Sequence, residues 1–165
     1  MTVQTSYSIA HAAALAGMVM TLEAFNSISK LNKGASVIPY GLGVVTDGDN
    51  GAKLPVSGSL ATQFNGVVMY EINRAQADGD VAGAVPNQDF TVVTHGEIWV
   101  TADLQVAKDD PVYFIVSDGT GTKQGLFSNV IGAAATLAVL IPGAKWTTST
   151  TGATQLAKIS LGIGG

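Results

Sequence analysis

The sequence predicts a mainly β protein, a small β-barrel or β-sandwich of about eight short strands with an extended N-terminal arm. From Ser36 onward, short apolar runs alternate with glycine-rich segments, which is typical of a chain that forms many short strands. The first 32 residues differ, because they are rich in alanine and almost free of charge. We therefore expect an N-terminal arm over residues 1–35 and a single β-barrel domain over residues 36–165.

Eight apolar runs carry the strand prediction. We interpret Phe90–Ala102 as one long strand with a bulge at Gly96 rather than as a tight hairpin. The run Val112–Val116 is almost entirely apolar, β-branched or aromatic, which favours a central buried strand. The run Val37–Thr46 is expected to form one kinked strand. The remaining runs are Phe64–Ile72, Gly125–Ile131, Ala134–Ile141, Lys145–Thr148 and Thr154–Leu161.

These strands must bury their apolar faces together. A sheet with one apolar face either closes on itself or pairs with a second sheet, so the pattern leaves a barrel and a sandwich as alternatives. Pro142 and Gly143 are expected to end the apolar run that precedes them. The core is expected to contain four large aromatic residues, Trp99, Tyr113, Phe114 and Trp146.

The chain carries little charge. Only 12% of its residues are charged, although globular proteins average about 25%, and 47% are hydrophobic. Arg74 is the single arginine and the seven lysines are scattered, so the sequence has no cationic cluster for nucleic-acid phosphates. A surface with few ions to desolvate suits a protein that packs against other proteins.

The absence of cysteine excludes disulfides, thiolate nucleophiles and cysteine-based metal sites, and it favours synthesis in a reducing cytoplasm. The apolar segments Ile9–Met20 and Val130–Ile141 have twelve residues each, against the ~20 that span a bilayer as a helix. No cation precedes the first segment, as a signal peptide would require. We expect no membrane partner.

Three features of the sequence resemble chemical sites. His11 and His95 are far apart in sequence and neither has a second ligand at metal-binding spacing. The segment Asp47–Gly51 is interpreted as a plain turn, with a weak cation site as the alternative. Gly119–Gly125 lacks the Lys-Ser/Thr ending of a phosphate-binding loop and is interpreted as a hairpin turn. We expect no enzymatic activity, no cofactor and no metal.

The order of glycines and prolines resembles that of the structural cement proteins, which decorate the heads of tailed phages. One position departs from the pattern, since Asp109 stands where a glycine usually precedes the Asp-Pro pair. The matching pieces are Ala16–Met18, Ile38–Val45, Lys53–Pro55, Phe64–Val68, Gly96–Val100, Asp110–Tyr113, Gly125–Phe127, Gly143–Trp146 and Ala157–Leu161.

The resemblance implies a β-barrel or β-tulip-like module that sits on the capsid exterior of the virion and clamps neighbouring major capsid protein subunits. The protein would be made in the host bacterial cytoplasm and would form a closed homo-oligomer, with a trimer favoured over a dimer. The expected contacts with the capsid or a neighbouring copy are Tyr7, Ile9, His11, Leu15, Met18, Met20, Leu22 and Phe25 in the arm, and Thr148 and Thr150 in an exposed loop.

The sequence is also compatible with two other functions. The first is another virion component built on a small β-barrel, such as a tail-tube or head-completion protein. The second is a carbohydrate-binding module, although the aromatic residues lie mostly inside apolar runs rather than beside carboxylates.

Overall fold

The computed structural model describes residues 14–19, 24–72, 81–132 and 136–162. Within these ranges the protein is mainly β, as predicted, with one short 3-10 helix at Ala61–Gln63. The strands are β1 (Asn26–Asn32), β2 (Ile38–Pro39), β3 (Gly43–Asp47), β4 (Gly51–Lys53), β5 (Phe64–Val68), β6 (Gly83–Ala84), β7 (Asp89–Ala102), β8 (Pro111–Ser117), β9 (Phe127–Ser128), β10 (Leu137–Trp146) and β11 (Gln155–Gly162).

Nine of these strands form one sheet that closes into a small barrel. From β7 the pairing runs through β11, β10, β8 and β9, and a parallel pair between Ala102 and Phe127 returns it to β7. A second circuit runs from β7 through β5, β3, β4 and β1, which pairs with β7 again. Strands β2 and β6 form a separate two-stranded sheet. Of the two architectures left open by the sequence, the barrel is therefore the one observed.

Strand β7 belongs to both circuits. Its 14 residues pair with β1 and β5 near its start and with β11 along its second half. The prediction of one long bulged strand is confirmed, but the extra residue is Thr94, which lies between the pairs Asn26–His95 and Ser27–Val93. Gly96 has another role, because a Cβ there would lie 2.7 Å from the Cβ of Phe25. Residue 96 must lack a side chain where the chain before β1 passes over β7.

Two hydrophobic clusters fill the molecule. The larger includes Phe64, Phe114, Phe127 and Trp146, whose three phenylalanine rings pack edge-on or tilted with centroids 5.0–6.4 Å apart. The smaller lies between the second circuit and the β2–β6 sheet. Phe114 and Trp146 are fully buried as predicted. Trp99 and Tyr113 are only partly buried, since they occupy outward-facing positions of their strands.

Two strand predictions were wrong in detail. Val37–Thr46 forms two strands in different sheets, because the chain turns at Gly41, which has a φ of 78°. Conversely, β10 continues through Pro142, where the sequence predicted a break. The register between β10 and β8 shifts between Leu140 and Lys145. Pro142, which lacks an N–H, therefore lies outside the paired positions.

Residues 26–32 of the predicted arm are part of the sheet. Strand β1 pairs with β7 from Asn26 to Leu31 and with β4 at Leu31 and Asn32. The side chain of Asn32 is fully buried, and its Nδ2 donates hydrogen bonds to the carbonyls of Ala84 (2.8 Å) and Ser36 (3.0 Å). These bonds tie the end of β1 to the two-stranded sheet and fix the position of the arm's last residues.

Candidate interaction surface

The predicted contact residues divide into three groups. The side chains of Leu15, Met18 and Phe25 are exposed. Thr148 and Thr150 lie between β10 and β11. The other predicted contacts, Tyr7, Ile9, His11, Met20 and Leu22, lie outside the described residues.

Residues 14–19 pair with the second half of β7. The Gly17 amide donates to the Trp99 carbonyl (2.7 Å), and the Trp99 amide donates to the Met18 carbonyl (2.9 Å). Both backbone groups of one strand residue point to the same edge, so this segment lies along the edge of β7 opposite β11. Tyr70 adds a hydrogen bond from its amide to the Gly17 carbonyl (2.8 Å). The segment therefore covers an edge that would otherwise be open to pairing.

Five large apolar side chains of the N-terminal elements remain exposed along β7. In register, Met18 lies beside Trp99, Phe25 beside Gly96 and Ile28 opposite Val92. These pairings and that of Leu31 with Asp89 place four of the residues along about 33 Å of strand, from Trp99 to Asp89, at ~3.3 Å per residue. The Leu15 carbonyl accepts a hydrogen bond from the Met18 amide (3.1 Å). We call this set, Leu15, Met18, Phe25, Ile28 and Leu31, the N-terminal strip.

Ile28 and Leu31 were not predicted as contact residues. Asn26–Asn32 belongs to the predicted arm and contains only two apolar residues, Ile28 and Leu31. The structure leaves both side chains more than one-third exposed. The available signal was their spacing of three residues, because strand side chains alternate between faces and only one of the two could face the core.

The expected exposure of Thr150 is wrong. Its side chain is only 7% exposed, and its hydroxyl accepts a 3.0 Å hydrogen bond from the Val106 amide. Thr148 is half-buried, and its hydroxyl accepts a 2.8 Å hydrogen bond from the Lys158 amide. Both threonines satisfy backbone donors that the β10–β11 connection would otherwise leave unpaired. The contact role of Thr148 stays a prediction.

A second apolar surface surrounds a cavity of about 400 Å³ on the outside of the barrel. Ile115 of β8 and Ala138 of β10 are paired and buried, and both line this cavity. Four exposed aliphatic residues line or directly adjoin it, and we call them the aliphatic rim: Leu104, Val130, Ile131 and Leu137.

One ion pair lies at this cavity. The ammonium of Lys123 is 2.8 Å and 3.1 Å from the two carboxylate oxygens of Asp103, which is 7% exposed. Because the two charges neutralise each other, the cavity has no net charge from its lining. Four residues of the apolar run 130–141 line this cavity: Val130, Gly132, Thr136 and Ala138.

The loop Gly119–Gly125, which was compared with a phosphate-binding loop, uses its hydrogen-bond donors to bind the carboxylate of the adjacent Asp118. Asp118 accepts hydrogen bonds from the amides of Thr120, Gly121, Thr122 and Lys123 at 2.6–3.2 Å. It also accepts from the hydroxyls of Thr120 (2.6 Å) and Thr122 (2.8 Å). The Thr120 hydroxyl, followed by the Thr122 hydroxyl and the amides of Gly121 and Lys123, holds the pKa of the Asp118 carboxyl well below its usual range. The donors that could cradle a phosphate are therefore occupied.

The segment Asp47–Gly51 is the turn between β3 and β4, as predicted. The Asp47 carboxylate pairs with Lys53 at 3.1 Å, and the Asp49 carbonyl accepts a hydrogen bond from Lys30. Across the described residues, no three His, Cys, Asp or Glu side chains are grouped as a metal ion would need. In the same part of the chain, no helix has the length and hydropathy to cross a membrane.

The chain matches a known protein family. A family model described as structural cement protein (E217 gp24/Pam3 gp6) matches residues 3–162. None of the curated proteins matches the chain.

Of two similar solved phage structures, the first shares the fold and the second is a weaker match. A chain from the capsid of Myoviridae phage XM1 is 17% identical, with a TM-score of 0.73 and 98% of each chain covered. The head fibre gp8.5 N base of bacteriophage phi29 is 13% identical, with a TM-score of 0.42 over 84% of this chain and 94% of that one. The resemblance seen in the sequence is thus confirmed by the family match, which extends over nearly the whole chain. The protein belongs to the phage structural cement protein family.

Proposed function

We propose that this protein binds the outer surface of a tailed-phage capsid and stabilises the expanded shell by bridging neighbouring major capsid protein subunits. Its role is structural and non-enzymatic, and its place is the capsid exterior of the virion, after synthesis in the host bacterial cytoplasm. Membership in the cement protein family supports a structural role in the phage.

The observation that carries the proposal is the N-terminal strip. Its side chains are held on a closed sheet by the hydrogen bonds of Gly17 and Met18 with Trp99 and by the pairing of β1 with β7. Apolar side chains carried on a rigid backbone lose little conformational entropy on binding, so more of their burial energy appears as affinity. The predicted arm contacts Leu15, Met18 and Phe25 belong to this strip. We assign the strip to the shell.

Stabilisation follows from mass action. A protein that binds the assembled shell but not its separated subunits stabilises the shell by about RT ln(1 + [L]/Kd) at each site. A shell offers many equivalent sites, so modest affinity at each one adds up over the particle. A bridge between two subunits also has to break before they separate.

The test uses purified protein and expanded heads that lack it. We expect saturable binding measured by co-sedimentation, cryo-electron microscopy density on the outside of the shell, and a higher melting temperature of the decorated heads. Unexpanded heads are the matched control for dependence on the mature lattice. Absence of binding, or binding that leaves the melting temperature unchanged, would contradict the proposal.

A further inference from the structure

We propose that a polar cavity beside the β3–β4 hairpin binds a neutral polyhydroxyl ligand, namely a single hexose unit that is either free or at the end of a glycan. The cavity has a volume of about 470 Å³ and lies between this hairpin and the loop that leads from β4 to β5. The inference adds a second binding function to the proposed one. The cavity includes no residue of the N-terminal strip, and its function does not require a shell.

The first step of the argument is the position of the cavity at the rim of the barrel. Val45 of β3 belongs to the larger hydrophobic cluster and also lines the cavity. Asp47 lies two residues further along β3, and Lys53 lies opposite Val45 on β4, so both polar side chains share the face of Val45. The core therefore gives way to a polar lining within one strand. Ligand sites are frequent at the mouths of β-barrels, with volumes of roughly 300–1,000 Å³.

The second step is that the loop side of the cavity is already formed and keeps unused donors. The Val56 amide donates to the Ser59 hydroxyl oxygen (3.0 Å), and the Ser59 amide donates to the Val56 carbonyl (2.9 Å). Ser59 lines the cavity and is only 7% exposed, yet its hydroxyl donates to no acceptor in the described part of the chain. A ligand oxygen in the cavity would supply that acceptor.

Gln63 closes the same side of the cavity. Its Oε1 accepts a 2.9 Å hydrogen bond from the Leu60 amide, so its Nε2 group is the part that remains for a ligand. Both Ser59 and Gln63 are therefore held by the backbone of their own loop. Groups that are fixed before binding lose little conformational entropy when a ligand arrives.

The third step is the chemistry of the lining as a whole. Asp47 and Lys53 form a 3.1 Å ion pair within the cavity, so an anion would meet the carboxylate and a cation would meet the ammonium. The pair leaves Asp47 Oδ2 as an acceptor and the other ammonium hydrogens as donors. Only Val45 and Val56 contribute apolar side chains, which is too little for an apolar ligand. A sugar hydroxyl both donates and accepts, and this mixed, neutral lining suits it.

Nuclear magnetic resonance of the full chain without heads tests this inference. We expect saturable shifts of the Ser57, Gly58 and Ser59 amide signals with at least one of glucose, galactose and N-acetylglucosamine at millimolar concentration. Maltotriose and chitotriose distinguish the end unit of a glycan from a free sugar. Sodium sulfate and calcium chloride should leave the three signals unchanged. Absence of saturable shifts with every sugar, or saturation by sulfate or calcium alone, would overturn the inference.

A pair of variants on one turn tests the assigned cavity. Asp47→Ala removes the charged acceptor and should weaken sugar binding at least tenfold. The fold should tolerate it, because the Asp47–Lys53 pair is partly exposed to solvent. Asp49→Ala makes the same change at an exposed residue outside the lining and should bind sugar as the wild type does. Equal sugar affinity in the two variants would refute this cavity as the site, whatever the heads bind.

Discussion

Gly17 and Trp99 are joined by a 2.7 Å backbone hydrogen bond that attaches the N-terminal segment to the long strand β7. Gly17 has a φ of 86°, and a Cβ on it would lie within 2.9 Å of three backbone atoms, in Val68, Tyr70 and Gly41. The close approach of four chain segments therefore depends on the absence of a side chain at this one position.

Gly17→Ala is expected to displace residues 14–19 from β7, because none of the crowding atoms belongs to a flexible side chain. The positive φ and the clash together should lower the free energy of unfolding by about 2–4 kcal/mol. Urea denaturation measures the loss, and faster exchange of the Trp99 amide reports the displaced segment. Gly58→Ala is the control, since Gly58 has a φ of 91° with no atom within 4 Å of the added Cβ. Equal losses in both variants would show that the packing at Gly17 is unimportant.

Thr150→Val should destabilise the fold without a direct effect on shell binding. The substitution keeps the shape of the side chain but leaves the Val106 amide without its acceptor in a buried place. An unsatisfied buried donor costs about 1–3 kcal/mol. Thermal or urea denaturation would measure the change, with Thr46→Val on the exposed side of β3 as the control. A Thr150→Val protein of wild-type stability that has lost head binding would instead support the contact role predicted from sequence.

Asp118 should make stability depend on acidic pH. Its pKa is lowered in the folded state, so its contribution is fully present above the unfolded pKa of about 3.9 and is lost as the pH falls through the folded pKa. Asp118→Asn should therefore be less stable than wild type at pH 7, and the difference should shrink below about pH 4. Denaturation of both proteins from pH 7 to pH 2 checks this, and Asp49→Asn on the β3–β4 turn controls for net charge. A difference independent of pH would contradict the prediction.

Ile28→Asp should weaken binding to expanded heads by about tenfold or more, because a charge within an apolar contact must be desolvated. Co-sedimentation with heads measures the affinity, and circular dichroism checks that the sheet is retained. Ile72→Asp makes the same chemical change at a more exposed aliphatic residue outside the N-terminal strip. If the two variants bind heads equally well, the strip is not the shell contact.

The local pattern of the sequence was sufficient to predict the strand content and the central strands. The run Val112–Val116 is buried at four of its five positions, and Phe90–Ala102 lies within one strand, because alternation and β-branched residues act on each segment by itself. The ordered glycine and proline pieces indicated the family in the same way, since each piece is a short local pattern.

Only the tertiary structure determines which apolar side chains remain exposed at the protein surface. Pairs such as Ala102–Phe127 and Val19–Ile98 join distant parts of the chain, and only these pairs determine which face of a strand meets the core. The sequence therefore could not show that Ile28 and Ile131 are exposed, that Thr150 is buried, or that Gly96 lies beneath Phe25. A strand's pattern gives its period, whereas its partner and register follow from the closure of the barrel.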